Sequence, residues 1–259
     1  MQQSDELKLA IEAAKKSGQI IKSGFGKVTD FKVKIGKGIV TEIDHTAEKV
    51  IIEILQSKFD YPILAEESGK IGEIKDSFWV IDPLDGTTNF SRGIPFFCTS
   101  IALIKNRKVV LGVTLYPITG DIYYAEKGKG AYVNGKRLHV SSRSDNDYLP
   151  VLNRGYGQDA ELTFKKLVEK FNSFARMRRL GASALELCFV AKGSVDAFVD
   201  FGDELWDYAA GTLMVQEAGG KVTDWQGNDW TIENKYILAT NSLIHDEVKN
   251  EIKDLQKTI

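Results

Sequence analysis

Phe78-Trp-Val-Ile-Asp-Pro-Leu-Asp-Gly-Thr-Thr-Asn-Phe90 is the stretch from which the rest of the chain can be read. An apolar run delivers Asp82 to a strand end. Pro83 and Gly86 then force a tight turn that carries Asp85, and two threonines and an asparagine follow at once. Carboxylates three apart on a turn can converge on one hard cation, because oxygen ligands suit Mg²⁺ and Ca²⁺. Backbone N–H groups freed after the turn, with hydroxyls beside them, suit a phosphate. Metal and phosphate side by side point to metal-assisted hydrolysis of a phosphate ester.

Upstream, Tyr61 to Ala65 reads as a short apolar strand running into Glu66-Glu67-Ser68-Gly69, so an acidic pair stands at a second strand end. Asp44 lies where an extended segment enters a helix whose buried face is Ala47, Val50, Ile51, Ile54 and Leu55. Alone, Asp44 reads as a helix cap; beside other carboxylates it becomes a catalytic candidate. Residues Lys27 to Ile39 are rich in Lys and Gly and read as a ragged hairpin or mobile loop. Ser4 caps a first helix that ends at Gly24-Phe-Gly26.

Downstream, Thr99 to Ile104, Val109 to Tyr116, Ile122 to Glu126 and Ala131 to Val133 read as strands, with turns at Asn106-Arg-Lys108, Thr119-Gly-Asp121 and Asn134-Gly135. The polar segment Ser141 to Asp147 marks a boundary between a half spanning 1–145 and a half spanning 146–259. Beyond it come a strand (Leu149 to Leu152), helices (Asp159 to Phe171 and Ala182 to Ala191), and a strand (Val195 to Val199). A helix from Trp206 to Ala218 stops at Gly219-Gly220, and a strand (Tyr236 to Thr240) and a helix (His245 to Leu255) close the chain. Without a regular βαβ rhythm, this order indicates α+β layers. Small residues Ala209-Ala-Gly-Thr212 allow close packing and bring Asp207 near another element. Asp200, Asp203 and Glu204 fall on a loop and could contact sugar hydroxyls; Ser183 could present a hydroxyl to a ligand from a helix N-terminus.

Composition excludes several classes. With 34 basic and 36 acidic residues the net charge is −2, which gives no global electrostatic reason to bind nucleic acid or an anionic membrane. Arg176-Met-Arg-Arg179 is a local basic patch. The polar Met1-Gln-Gln-Ser-Asp-Glu6 does not resemble a secretory signal, and no apolar stretch spans a bilayer, so a cytoplasmic protein is expected. Cys98 and Cys188 sit among apolar neighbours and read as buried thiols; His45, His139 and His245 show no metal spacing.

The residues now assembled resemble the inositol monophosphatase family, within the fructose-bisphosphatase-like superfamily. Trp79 to Phe90 looks like its first signature and Trp206 to Gly220 its second; Thr41-Glu-Ile-Asp44 and Ala65-Glu-Glu-Ser-Gly69 stand where expected. The resemblance implies a layered αβαβα fold, a metal-rich first half and a substrate-shaping second half. It implies two or three Mg²⁺ ions, sensitivity to Li⁺ and a homodimer. By position Glu66, Asp82, Asp85 and Asp207 match the metal carboxylates, Leu84 the backbone ligand, and Glu67 an outer group or a ligand to a weaker site. Thr87, Asp44 and Glu66 match the groups acting on water, whereas Gly86, Thr87 and Thr88 match the phosphate cradle. Gly181, Ala182, Ser183, Arg178, Asp200 and Asp207 match substrate contacts, and the resemblance leaves open which of Lys32, Lys34 or Lys37 approaches the phosphate. The implied activity is Mg²⁺-dependent hydrolysis of inositol monophosphate by metal-activated water. Alternatives are fructose-1,6-bisphosphatase, 3′-phosphoadenosine 5′-phosphate phosphatase, histidinol phosphatase, or a non-catalytic RNA polymerase-associated accessory factor.

Overall fold

The computed structural model describes residues 3–27, 32–34, 38–144, 148–155, 160–172 and 176–255. Helices α1 (Asp5–Gly24) and α2 (Glu42–Gln56) flank a hairpin of β1 (Lys32–Lys34) and β2 (Gly38–Val40). Next come β3 (Ile63–Ala65), β4 (Gly69–Ile71), β5 (Phe78–Asp85), the short helix α3 (Thr87–Ser91), β6 (Cys98–Lys105) and β7 (Lys108–Tyr116). Strands β8 (Asp121–Glu126), β9 (Gly130–Val133), β10 (Lys136–Arg137) and β11 (Pro150–Leu152) precede helices α4 (Ala160–Phe171) and α5 (Ser183–Ala191). The order ends with β12 (Ala197–Phe201), α6 (Leu205–Glu217), β13 (Lys221–Thr223), β14 (Tyr236–Thr240) and α7 (His245–Ile252).

An eight-stranded sheet runs β10-β9-β8-β7-β6-β5-β3-β4, and a four-stranded sheet runs β11-β12-β14-β13. Side-chain alternation fixes what covers each face. On β5, Trp79 and Ile81 face one way and pack with Leu7, Ala10 and Ala14 of α1 and Ile51 and Leu55 of α2. Phe78 and Val80 face the other way and meet Ala209 and Ala210 of α6. The same parity puts Asp82 on the α6 side. On the smaller sheet, Val199, Phe201 and Leu238 pack with Leu167 of α4 and Val248 of α7, whereas Phe198, Ile237 and Ala239 face α5 and α6. The layers are therefore helices, large sheet, helices, small sheet, helices, as expected of an αβαβα fold.

Helix α6 is buried around its whole circumference from Tyr208 to Val215, as a helix between two sheets must be. It fits because its neighbours are small. A Cβ at Gly112 of β7 would lie 2.7 Å from the Ala210 carbonyl oxygen, and one at Gly211 would lie 2.4 Å from the Leu187 Cβ of α5. Close approach here holds the N-terminus of α6, and with it Asp207, against the end of β5.

Several boundaries differ from the sequence reading. The hairpin, one of the two readings of Lys27 to Ile39, is β1 paired antiparallel with β2, which runs on to Val40. The turn after Asp85 opens a short helix. The strand expected over Val195 to Val199 runs instead from Ala197 to Phe201, so Asp200 lies in a strand and not on a loop. Asp44 does not precede α2: Thr41 is the N-cap and Asp44 the third helical residue. Lys37, Asp159 and residues 145–147 of the polar boundary lie outside the described residues.

Candidate active site

At the junction of β5, α3 and α6 lies a cavity of about 670 Å³, lined by Glu66, Glu67, Asp82, Leu84, Asp85, Gly86, Thr87, Thr88 and Asp207. Asn153, Arg154, Arg179, Gly181, Ser183 and Asp203 line it as well. Carboxylate oxygens of Asp82, Asp85 and Asp207 lie within 4.8 Å of one another. Local chemistry sets each one. The Leu84 N–H donates to Asp82 Oδ1 at 2.8 Å across a break in the β5–β6 register. Asp85 Oδ2 accepts the Ala184 N–H at 2.8 Å, in the first turn of α5, where a negative charge is favoured. Asp207 Oδ2 accepts the Glu204 N–H at 2.7 Å in a reciprocal cap.

Burial raises the pKa of Asp82 and Asp207 well above the carboxylate range, and neighbouring carboxylates raise them further. Asp85 is pushed up to about 7, mainly by burial, against the pull of the Ala184 N–H. Like charges gathered in a low dielectric need a counter-charge. A donor set made of oxygens alone fits a hard divalent cation.

Gly86 turns the chain at φ 89°, and a Cβ there would press on the Phe96 carbonyl at 3.1 Å, so glycine is required. The Thr87 hydroxyl has one hydrogen and two acceptors, the Leu84 carbonyl at 2.9 Å and Asp44 Oδ1 at 3.1 Å. Asp44 is buried, its other oxygen accepting the Thr41 N–H at 2.8 Å and the Thr41 hydroxyl at 2.5 Å. Burial raises its pKa, against the hydrogen bonds from Thr41. Asp44 thus stands behind Thr87 and reaches the cavity through it.

Also at the cavity, Ser183 Oγ donates to Asp203 Oδ2 at 3.0 Å. Three expected substrate contacts are placed elsewhere. Asp200 is fully buried, accepting the Phe201 N–H and the Tyr208 hydroxyl, and Asp203 takes its place at the cavity. Arg178 is exposed and its guanidinium donates to the Arg176 and Met177 carbonyls, whereas Arg179 lines the cavity with its guanidinium 5.0 Å from the Phe164 ring centre. Ala182 is buried behind the wall, where a Cβ at Gly86 would meet its own Cβ at 3.1 Å. Lys32 and Lys34 lie on β1.

The sequence reading missed Asn153, Arg154, Glu186 and Glu48, and gave Asn89 only as part of the Gly86-Thr87-Thr88-Asn89 run. Asn89 Nδ2 donates to the Leu180 and Phe96 carbonyls, both at 2.7 Å, tying α3 to the Gly181 loop. Glu186 is wholly buried in α5, where its Oε1 accepts the Leu180 N–H at 2.7 Å and the Gly181 N–H at 3.0 Å, and its Oε2 accepts from Asn153 Nδ2.

These carboxylates make stability depend on pH. Burial pushes Glu186 to about 8 despite the two N–H groups it accepts. Folded pKa values above the ordinary ones mean that the native state holds protons the unfolded chain has released. The associated stability is full at acid pH and is lost as pH rises through about 7 for Asp85 and about 8 for Glu186. His245 has the opposite sign, since burial lowers it to about 4 and its contribution is lost only as pH falls below 6.5. Raising the pH of metal-free protein from 6.5 to 8 should therefore lower its Tm, by roughly 2–4 °C per kcal/mol lost, and Mg²⁺ should flatten the slope. Calorimetry in EDTA and in Mg²⁺ checks this; a metal-free Tm that is constant or rises over that window contradicts it.

A buried carboxylate cluster beside a hydroxyl–carboxylate pair and a glycine-turned N-terminus defines a metal-assisted phosphatase. The chain belongs to the inositol monophosphatase family, whose family model matches residues 2–257. It is 38% identical over 257 residues to the fructose-1,6-bisphosphatase/inositol-1-monophosphatase of Thermotoga maritima, covering 98% of each chain. It is 37% identical over 255 residues to the Nus factor SuhB of Pasteurella multocida, covering 95% of each. Among solved structures, the inositol monophosphatase of Thermotoga maritima superposes with a TM-score of 0.89 at 37% identity, covering 98% of this chain and 99% of that one.

Proposed function

We propose that this chain hydrolyses inositol monophosphate in an Mg²⁺-dependent reaction, without a covalent phosphoenzyme. The observation that carries the reading is the meeting of Asp82, Asp85 and Asp207 within 4.8 Å beside the Thr87–Asp44 pair. Glu66, Asp82, Asp85, Asp207 and the Leu84 carbonyl would hold two or three Mg²⁺ ions, with Glu67 nearby. Bound Mg²⁺ supplies positive charge beside the phosphoryl oxygens and makes water a better nucleophile at neutral pH. The N–H groups of Gly86, Thr87 and Thr88 hold phosphate oxygens in a near-attack pose. Thr87 donates its proton toward Asp44 and turns its lone pairs to a water, whose proton then passes through Thr87 to Asp44. The water oxygen bonds to phosphorus as the ester P–O bond breaks in line, and the leaving polyol oxygen keeps the bonding electron pair and takes a proton from solvent. Gly181, Ser183 and Asp203 form the wall that meets the polyol hydroxyls. The first half of the chain then supplies most of the metal and phosphate groups and the second half the substrate wall.

The test is phosphate release from myo-inositol 1-phosphate, fructose 1,6-bisphosphate and 3′-phosphoadenosine 5′-phosphate as Mg²⁺ is varied. The reading predicts the highest kcat/KM for the inositol ester and loss of all release in EDTA. It fails if no substrate releases phosphate at saturating Mg²⁺. A second reading, action on a bisphosphate, is favoured by Arg154 and Arg179 in the cavity lining, and by the double name of the Thermotoga maritima relative. Fructose 1,6-bisphosphate being the better substrate would select it. Family membership also supports a homodimer and Li⁺ sensitivity. No helix among the described residues is long and apolar enough to cross a membrane, which accords with the proposed cytoplasmic location.

A further inference from the structure

Glu48 stands one helical turn after Asp44 on α2, so both carboxylates project from one face of that helix. Glu48 is 2% exposed. Its Oε2 accepts the Glu67 N–H at 2.8 Å, and its Oε1 accepts the Ser68 N–H at 2.9 Å and the Ser68 hydroxyl at 2.5 Å. Three donors of one turn thus converge on one buried side chain. From the other side, the Glu66 N–H donates to the Ile81 carbonyl of β5 at 3.2 Å. The turn carrying Glu66 and Glu67 is thus clamped between α2 and β5.

The clamp has a job. Glu66 and Glu67 line the cavity together with Asp82, Asp85 and Asp207, so the place of their turn sets where the Glu66 carboxylate stands against that cluster. Glu48 fixes the turn without itself lining the cavity, because both of its oxygens are engaged by backbone N–H groups and a hydroxyl.

We propose that Glu48 is a positioning residue that holds the Glu66-Glu67 turn ready for the divalent cation, acting through Ser68 and the backbone. This rests on the reading of Glu66 as a metal ligand. Outer hydrogen-bond partners of metal ligands are worth about 10–100-fold in metal affinity. Removing the clamp therefore weakens metal capture more than it slows a fully loaded enzyme.

The test is titration of the metal-free full chain with Mn²⁺, followed by the EPR signal of the free ion, with Mg²⁺-dependent phosphate release measured in parallel. Glu48→Gln keeps the side-chain volume but turns an amide NH₂ toward an N–H donor. It should weaken Mn²⁺ binding about tenfold or more. It should also raise the Mg²⁺ needed for half-maximal rate by a similar factor while leaving kcat at saturating Mg²⁺ within about threefold. Ser68→Ala, which removes one of the three donors, should shift both in the same direction by a smaller factor. Unchanged Mn²⁺ affinity in folded Glu48→Gln, or a rate loss equal at every Mg²⁺ concentration, overturns the proposal. Should Glu48→Gln fail to fold, Ser68→Ala decides by the same criteria. Absence of Mn²⁺ binding by the unsubstituted chain would defeat the metal reading itself, whereas a difference confined to the variants bears on Glu48 alone.

Discussion

Replacing Asp82 or Asp85 with asparagine lowers kcat/KM by on the order of a thousandfold at moderate Mg²⁺, about 4 kcal/mol of transition-state stabilisation. The amide is nearly isosteric, and its oxygen can still accept the Leu84 or the Ala184 N–H that each aspartate holds. What it lacks is the negative oxygen aimed at its fellow carboxylates. The lost charge weakens capture of a divalent cation, and part of the activity should return at high Mg²⁺. The metal-free protein should respond in the opposite sense. Each substitution removes one member of a repelling buried group, so each variant should melt above the unsubstituted chain in EDTA. Kinetics across an Mg²⁺ series and calorimetry in EDTA measure the two effects. Near-normal turnover in either variant would refute the assignment.

Asp44→Asn should cost kcat about 10²–10⁴-fold, the range for losing a positioned proton acceptor, while leaving the Mg²⁺ requirement unchanged. One oxygen of Asp44 accepts both the Thr41 N–H and the Thr41 hydroxyl, and the other faces Thr87. An asparagine must give its oxygen to Thr41, where an NH₂ would oppose two donors. Its NH₂ then faces the Thr87 hydroxyl, which loses its carboxylate acceptor and turns its proton to the Leu84 carbonyl. Thr87→Ala should lose a similar factor, and the double variant should lose little more, because the two groups act as a unit. A raised Mg²⁺ requirement with normal kcat would instead make Asp44 part of the metal shell.

The parts of the site legible in the sequence are those made by local chemistry. Asp82, Asp85, Gly86 and Thr87 lie within one strand-to-helix turn, where proline, a positive φ and adjacent hydroxyls dictate the shape. Asp207 could be placed because the small residues after it signal close packing. What failed depended on strand ends and parity. Ending the strand at Val199 put Asp200 on a loop; two more residues of β12 carry it under α6, where Tyr208 reaches it. Arg178 bridges to Val151 and exchanges backbone hydrogen bonds with Pro150 and Leu152, so that segment is extended and adjacent side chains point to opposite sides. That alternation gives the cavity to Arg179. Strands β4, β10 and β13 are two or three residues long, too short to show a period. Glu48 did leave a signal, a carboxylate four residues after Asp44 on an otherwise apolar face. Its partners, Glu67 and Ser68, lie 19 and 20 residues away in sequence, and only the fold brings them together.

Diffraction from a crystal soaked in Mn²⁺, read at the manganese absorption edge, tests the central claim most directly. The account predicts anomalous density among the carboxylates of Asp82, Asp85 and Asp207, with the Thr87 hydroxyl close by. An ordered cavity that stays free of anomalous density at saturating Mn²⁺, with those three carboxylates turned away from one another, would contradict it.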